Sequence, residues 1–192
     1  MRGEAAKVLR SRFNIDLDRK CFRCLRNGEW LNDEVINFYL GMLQERSDTE
    51  VMAAPGGAAK RRVWFANTFF LTKLRENGYC YANVQRWMRG RRWTKAGQPT
   101  VEIMDVLAMD LIIIPCHMSR THWTCIVVDV PARTVTHYDS LGRAGGTAHD
   151  DLKRVVRWLC DEVRDKRGTS MKASEWQKID LGEGAPRQRN GW

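Results

Sequence analysis

The sequence predicts an α+β fold, and three segments carry that prediction. Leu111–Ile114 is a continuous apolar run, which is typical of a strand buried on both faces. Trp123–Val130 and Thr134–Asp139 are predicted to be two further strands joined by a tight turn. In Asp150–Lys166 the apolar residues recur at helical spacing, so this segment is predicted to be a helix.

The first third of the chain adds a helix and an irregular segment. Asn32 or Asp33 can cap a helix with apolar residues on one side, and we expect this helix to end around Arg46. Residues 47–62 contain an Ala- and Gly-rich run and show no usable periodicity. We interpret 47–62 as a flexible surface insertion inside one domain that spans residues 1–192, since the chain is long enough for one substantial core.

Two short elements and a basic stretch follow. Val63–Phe65 is predicted to be a strand and Thr68–Glu76 a helix. Arg86–Lys95 interleaves arginines with tryptophans, which suits either a nucleic-acid surface or an amphipathic helix with water-facing arginines. We favour the helix, because a run of charges is usually a solvated face, and therefore disfavour nucleic-acid binding. Its inward-facing residues would be Val84, Trp87 and Met88.

Composition argues against several classes of protein. The longest apolar stretch is far too short to span a bilayer, so we expect no membrane segment. The six cysteines lack the spacing of a disulfide framework, which favours reduced thiols in the nucleus or cytoplasm. Cys21 and Cys24 form a lone CxxC with no second ligand pair, which is a weak zinc or redox signal. We expect a monomer that holds neither a metal nor a cofactor.

The predicted hairpin brings a histidine and a carboxylate together. A two-residue turn at Val130 and Pro131 would put His122 directly opposite Asp139, with Cβ atoms about 4.5 to 5.5 Å apart. A turn shifted by one residue would make the pair diagonal, still within reach of long side chains. Such a carboxylate can fix the imidazole tautomer, as the third group of a catalytic triad does. A purely structural His–Asp hydrogen bond explains the pairing equally well.

No cysteine of the chain is a convincing nucleophile for this pair. Cys125 is three residues from His122, and side chains alternate faces along a strand, so Cys125 should point away from it. Cys116 and Cys160 lie in apolar patterns typical of core residues. Cys80 has no evident base nearby in the sequence.

Five short motifs follow one another along the chain. They are Trp30–Tyr39, Asn67–Phe70, His122-Trp123, Tyr138–Gly142 and Gln188–Gly191. In this order they resemble the Ulp1/SENP family of SUMO-specific cysteine proteases, from about Phe13 to the last residue. The resemblance implies a papain-like cysteine protease fold of the Ulp1 type, with a central mixed sheet flanked by helices. It also implies cleavage of SUMO, or a related ubiquitin-like modifier, after Gly-Gly, in maturation, deconjugation or both.

The resemblance also matches three residues to catalytic roles. His122 resembles the family's general base, Asp139 its orienting acid, and Gln188 the glutamine whose amide donates to the oxyanion. These residue types suit the chemistry, since a thiolate attacks best beside an imidazolium and a fixed amide donor stabilises the developing negative charge.

Four further residues resemble family positions that bind the modifier. Trp30 and Trp123 resemble the pair that encloses the C-terminal Gly-Gly, where flat aromatic walls leave no room for a Cβ. Asp33 and Phe69 are expected to touch the body of the modifier. For one of Phe69 and Phe70, packing in the core is the better interpretation.

The end of the sequence bears on activity. In the family the last motif continues after Asn-Gly with one variable residue and then Asp-Cys-Gly. Trp192 would fill the variable position, and the nucleophile would be the second residue beyond it. We therefore expect the chain as given to be an inactive piece of an active protease. The alternative is a non-catalytic module that binds a ubiquitin-like modifier without cleaving it.

Overall fold

A computed structural model describes residues 7–53, 61–93, 99–118 and 122–189, with the backbone alone at 52–53, 89–93 and 99–103. The helices and strands follow in the order β1 (Val8–Arg12), β2 (Ile15–Asp18), α1 (Asp33–Ala53), β3 (Val63–Phe65), α2 (Phe70–Arg75), β4 (Arg89–Trp93), β5 (Pro99–Ile103), β6 (Leu111–Met118), β7 (His122–Asp129), β8 (Thr134–Tyr138), α3 (Thr147–Arg167) and β9 (Gln177–Asp180). Short 3₁₀ turns join several of them.

Five strands form a mixed sheet in the order β3-β6-β7-β8-β9. The outer strands β3 and β9 run parallel to their neighbours, whereas β6, β7 and β8 pair antiparallel. Helices pack beside this sheet, with α3 against β8 and β9 and α2 against β6. The α+β class and the mixed sheet are thus confirmed. β6 alternates between fully and partly buried residues, so the strand was predicted correctly but its expected burial on both faces was wrong: only one face is covered completely.

The core lies between that covered sheet face and α3. The face contributes alternate residues of the central strands, and α3 contributes a stripe at helical spacing that ends at a left-handed Gly168. Trp158 and Trp176 are fully enclosed, and Trp158 packs against the rings of Trp64 and Phe70. The buried stripe of α3 comprises Leu152, Val155, Val156, Leu159 and Val163.

The helix α1 begins as predicted and ends later than predicted. Asn32 is its cap, since its Oδ1 accepts the Val35 N–H at 2.9 Å. The helix runs to Ala53, so the end expected around Arg46 was wrong. Polar pairs one turn apart support the extra turns: Gln44 donates to Asp48, and Thr49 donates to the Glu45 carbonyl. Within the predicted insertion 47–62, residues 47–53 are therefore helical, and 54–60 lie outside the described residues.

The basic stretch Arg86–Lys95 is not the helix that its pattern suggested. Its residues from Arg89 onward form β4, which pairs antiparallel with β5 as a separate two-stranded ribbon, and 94–95 lie outside the described residues. The inward packing was correct where it can be seen, because Val84 and Met88 are fully buried and Trp87 is partly buried. The error arose because the helical spacing of Val84, Trp87 and Met88 was extended into the residues that follow, which instead pair with the strand that begins at Pro99.

The hairpin of β7 and β8 has the shifted register, in which the His122–Asp139 pair is diagonal, and its loop is longer than the two-residue turn that was expected. Asp129 pairs with Thr134, so four residues form the loop, and the directly opposed His122–Asp139 register was wrong. The Asp129 carboxylate caps the loop by accepting the Ala132 N–H at 3.0 Å, and Arg133 adopts a left-handed φ of 55°. The resulting register brings Asp139 to the diagonal position.

Candidate active site

His122 and Asp139 form a close buried pair at the end of the β7–β8 hairpin. Asp139 Oδ1 lies 2.6 Å from His122 Nε2, and both side chains are less than a tenth exposed. The same Oδ1 accepts the Leu141 N–H at 2.8 Å, which fixes the carboxylate. A carboxylate held in this way sets the ring orientation and stabilises a protonated imidazole. The other ring nitrogen, Nδ1, makes no hydrogen bond within the described part of the chain.

Gln188 reaches the same turn from the far end of the sequence. Its backbone N–H donates to the Ser140 carbonyl at 3.0 Å, and its side-chain Oε1 accepts the Ser140 hydroxyl at 2.8 Å. Arg187 binds the turn as well, since its guanidinium donates to the Leu141 carbonyl. The turn from Asp139 to Gly142, called here the Asp139 turn, therefore holds the candidate base and the candidate oxyanion donor together.

A cleft of about 520 Å³ opens beside these residues. Of the predicted site residues, four line it: Trp30, His122, Trp123 and Gln188. The loop of residues 26–31 forms the remaining wall. Sequence reasoning missed residues 26–29 of this wall, although Asn27-Gly28 is a turn dipeptide and Gly28 has a φ of +82°. The cleft therefore brings together an imidazole, a carboxamide and two indole rings.

The two tryptophans differ in how firmly they are held. Trp123 donates its indole N–H to the Leu31 carbonyl at 2.9 Å, and its ring stacks on His117 with centroids 4.3 Å apart. Trp30 is 52% exposed. One wall of the cleft is thus anchored by two contacts, and the other presents a large apolar surface to solvent. His117 packs against Trp123 and supports that wall.

Asp33 and Phe69 do not line the cleft. Asp33 is the first residue of α1, where partial burial raises the pKa of its carboxyl and nearby His117 offsets part of that shift. Phe69 is 46% exposed, whereas Phe70 is fully buried, so the expectation that one of these two rings packs in the core is confirmed. The roles of Asp33 and Phe69 as contacts for the modifier remain predictions.

None of the six cysteines is paired with His122. Cys125 lies on the opposite face of β7 from His122, Thr124 and Ile126, as strand alternation predicted. Burial raises the pKa of the Cys125 thiol to about 11, and burial also raises that of the fully enclosed Cys116. Both thiols are therefore protonated at neutral pH and poor nucleophiles. Cys24 is buried, whereas Cys21, Cys80 and Cys160 are partly buried, and all six thiols are free.

A second His–Asp pair lies on the same sheet face and was not anticipated. His137 Nδ1 is 3.0 Å from Asp180 Oδ1, and its Nε2 is 3.0 Å from the Thr124 hydroxyl. Although burial favours the neutral Asp180, hydrogen bonds from the Gly145 N–H and His137 hold the pKa of this carboxyl below its usual value. The pair ties β9, which leads toward Gln188, to β7 and β8. His137 lies two residues before Asp139, a spacing that puts both side chains on one face of an extended segment, and this was the signal that could have drawn attention to His137.

Neither a metal-ligand cluster nor a membrane-spanning helix is found among the described residues. No group of three or more His, Cys, Asp or Glu side chains in these ranges is placed to hold a metal ion. Nor does any helix seen in the described chain combine the length and apolar character needed to cross a bilayer.

Comparison with known proteins identifies the family. Residues 29–191 match the model of the Ulp1 protease family, C-terminal catalytic domain. The chain is 38% identical over 181 residues to Ubiquitin-like-specific protease 1A of Arabidopsis thaliana, which covers 93% of this chain and 32% of that protein. It is 30% identical over 190 residues to Sentrin-specific protease 2 of Mus musculus, covering 98% and 28%. The chain therefore belongs to the Ulp1 family of cysteine proteases, and it spans less than a third of either relative.

Solved structures agree on the fold. The catalytic domain of a Chaetomium thermophilum Ulp1-like SUMO protease matches with a TM-score of 0.64 and 30% identity, over 97% of this chain and 65% of that one. The Ulp1 protease domain in complex with Smt3, the yeast ortholog of SUMO, matches with a TM-score of 0.70 and 23% identity, over 100% and 72%. These likenesses confirm the predicted Ulp1-type fold.

Proposed function

We propose that this chain supplies the base, the orienting acid and the oxyanion donor of a cysteine protease that cleaves SUMO after Gly-Gly, in maturation, deconjugation or both. The observation that carries the proposal is the buried His122–Asp139 pair, 2.6 Å apart, at a cleft that Gln188 also lines. The relatives named above are a ubiquitin-like-specific protease and a sentrin-specific protease, which supports a small protein modifier as the substrate.

In the proposed mechanism, His122 accepts the thiol proton of the nucleophile through Nδ1, because Asp139 occupies Nε2. The thiolate adds to the carbonyl carbon of the terminal glycine, and the Gln188 amide donates to the resulting oxyanion. His122 then returns the proton to the leaving amine, and an acyl-thioester remains. Water, activated by the same imidazole, hydrolyses the thioester and releases the modifier.

The nucleophile itself is proposed to come from residues that follow 192 in the natural protein. This rests on the position of the six cysteines, none of which pairs with His122. The 192-residue polypeptide is then expected to bind the modifier without hydrolysing it. A module that binds and never cleaves remains the second candidate, favoured by the fact that the cleft and its aromatic walls are formed without a thiol.

Binding of the modifier to the 192-residue polypeptide tests recognition alone. Isothermal titration with SUMO ending in Gly-Gly should give saturable binding, and removal of the last two glycines should weaken it about tenfold or more, because the aromatic walls lose their occupant. Equal affinity for both forms would refute the assignment of the cleft.

Cleavage of a SUMO–reporter fusion distinguishes the two candidates. The assay uses the extended protein, meaning this chain continued through its natural sequence past residue 192. The protease proposal predicts thiol-dependent release of the reporter by the extended protein and none by the 192-residue polypeptide. Binding without release by both would favour the non-catalytic module.

Six free thiols also lead us to propose the nucleus or cytoplasm as the compartment, and we expect a monomer.

A further inference from the structure

Ser140 makes two contacts to Gln188 that do different things. The backbone bond, from the Gln188 N–H to the Ser140 carbonyl at 3.0 Å, fixes where the Gln188 main chain lies. The side-chain bond, from the Ser140 hydroxyl to Gln188 Oε1 at 2.8 Å, fixes how the amide group is turned. The hydroxyl can be removed by mutation while the backbone bond stays, so the two effects are separable.

The orientation of the Gln188 carboxamide matters because its two polar groups have opposite chemistry. The oxygen only accepts hydrogen bonds, and the NH₂ group only donates them. An oxyanion is stabilised by the NH₂ group and repelled by the oxygen. A glutamine whose carboxamide rotates freely would point its oxygen at the oxyanion for part of the time. This lowers the fraction of productive complexes.

We propose that Ser140 is a positioning residue: its hydroxyl holds the Gln188 carboxamide oxygen, so that the NH₂ group is oriented as the oxyanion donor. The inference rests on the proposed function, in which Gln188 is that donor. Ser140 lies directly after Asp139, so one short turn would align both the base, through the carboxylate, and the oxyanion donor, through the hydroxyl. A bond that merely stabilises the turn is the competing explanation.

Kinetics of the extended protein separate these two explanations. Ser140→Ala should lower kcat about tenfold with KM changed less than about twofold, and Ser140→Thr, which keeps the hydroxyl, should restore most of the loss. The decisive variant carries Ser140→Ala and Gln188→Ala together. If Ser140 acts through Gln188, this double variant cleaves no more slowly than Gln188→Ala alone. Additive losses would overturn the proposal. Ser170→Ala, at an exposed position, is the matched control.

A second measurement uses the 192-residue polypeptide and does not depend on proteolysis. The ¹⁵N order parameter of the Gln188 side-chain amide should fall in Ser140→Ala and recover in Ser140→Thr, while that of its backbone amide stays constant. An unchanged side-chain order parameter in Ser140→Ala would contradict the proposed orientation. If the extended protein shows no cleavage at all, the proposed function fails, and this measurement still decides whether Ser140 holds the amide.

Discussion

Asp139 binds His122 diagonally across the β7–β8 hairpin, from a position two residues away from direct opposition. The register pairs Cys125 with Tyr138, so its continuation places Asp139 opposite Thr124. The carboxylate nevertheless reaches His122 Nε2 at 2.6 Å, because Asp139 lies past the end of β8, in a turn that also binds its Oδ1 through the Leu141 N–H. A four-residue hairpin loop and a tight turn together create the pair.

Replacing Asp139 by Ala should slow cleavage by the extended protein about 100-fold or more, because the imidazole loses the partner that fixes its tautomer. The loss should appear in kcat, measured with a SUMO fusion at saturating substrate. Asp150→Ala, at an exposed position on α3, should leave kcat within about twofold. Equal rates for the two variants would mean that the pair is only structural.

The aromatic walls make a prediction about the substrate. Changing the penultimate glycine of the modifier to alanine should lower binding to the 192-residue polypeptide at least tenfold, since an added Cβ meets the indole faces. Trp123→Ala should reduce that discrimination, whereas Trp123→Phe should keep part of it. A variant with the Trp123 ring removed that still rejects the alanine modifier would place the selection elsewhere.

A buried ion pair joins α2 to α3. Asp151 is 2% exposed at its side chain, and Arg75 and Arg154 both bind it. Arg75 also donates to the carbonyl of His117, the residue that stacks on Trp123. Asp151→Asn should cost about 3 kcal/mol in unfolding free energy, because it leaves the partly buried Arg75 without its counter-charge. Asp150→Asn, next to it and well exposed, should change that free energy by less than about 0.5 kcal/mol in urea titrations.

Glu162 should make stability fall as pH rises. The residue is fully enclosed, and burial raises the pKa of its carboxyl from 4.5 to about 7, with Lys166 opposing part of that shift. The folded state therefore holds this proton more tightly than the unfolded state. Deprotonation of the buried carboxyl imposes a penalty on the unfolding free energy, which is absent below pH 4.5 and grows until about pH 7.

Glu162→Gln should remove that penalty. Its unfolding free energy should exceed the wild-type value at pH 8, by an upper limit of about 3 kcal/mol, and should differ little at pH 4.5. Glu183→Gln, where the side chain is 91% exposed, is the control and should show no such pH dependence. A wild-type chain that gains stability between pH 5 and 7 relative to Glu162→Gln would contradict this account.

Much of the fold could be predicted because local pattern and tertiary environment agreed. The apolar run of β6, the hairpin strands and the stripe of α3 all follow from spacing that burial then enforces. The last two turns of α1 could not be predicted in this way, because polar side-chain pairs support them instead of an apolar stripe. The ribbon of β4 and β5 pairs neighbouring segments of the chain, and it was missed because the helical spacing of Val84, Trp87 and Met88 directly before β4 suggested that a helix continued.

In the candidate site, too, some features could be predicted from local pattern and others depend on the folded chain. Strand alternation separated His122 from Cys125, and the motif resemblance supplied Gln188. The hydroxyl of Ser140 against the Gln188 amide, and His137 against Asp180, join residues more than 40 positions apart. Such contacts are set by how the C-terminal segment returns to the sheet, which only the folded chain determines.

The most direct test of the account is cleavage of a SUMO fusion by the extended protein with His122→Ala, compared with His149→Ala at an exposed position on α3. His122→Ala should lower kcat at least about 1,000-fold while the affinity for SUMO stays within about threefold, because the imidazole is needed for proton transfer and not for recognition. His149→Ala should cleave at the wild-type rate. Wild-type cleavage by His122→Ala would contradict the assignment of this cleft as the catalytic site.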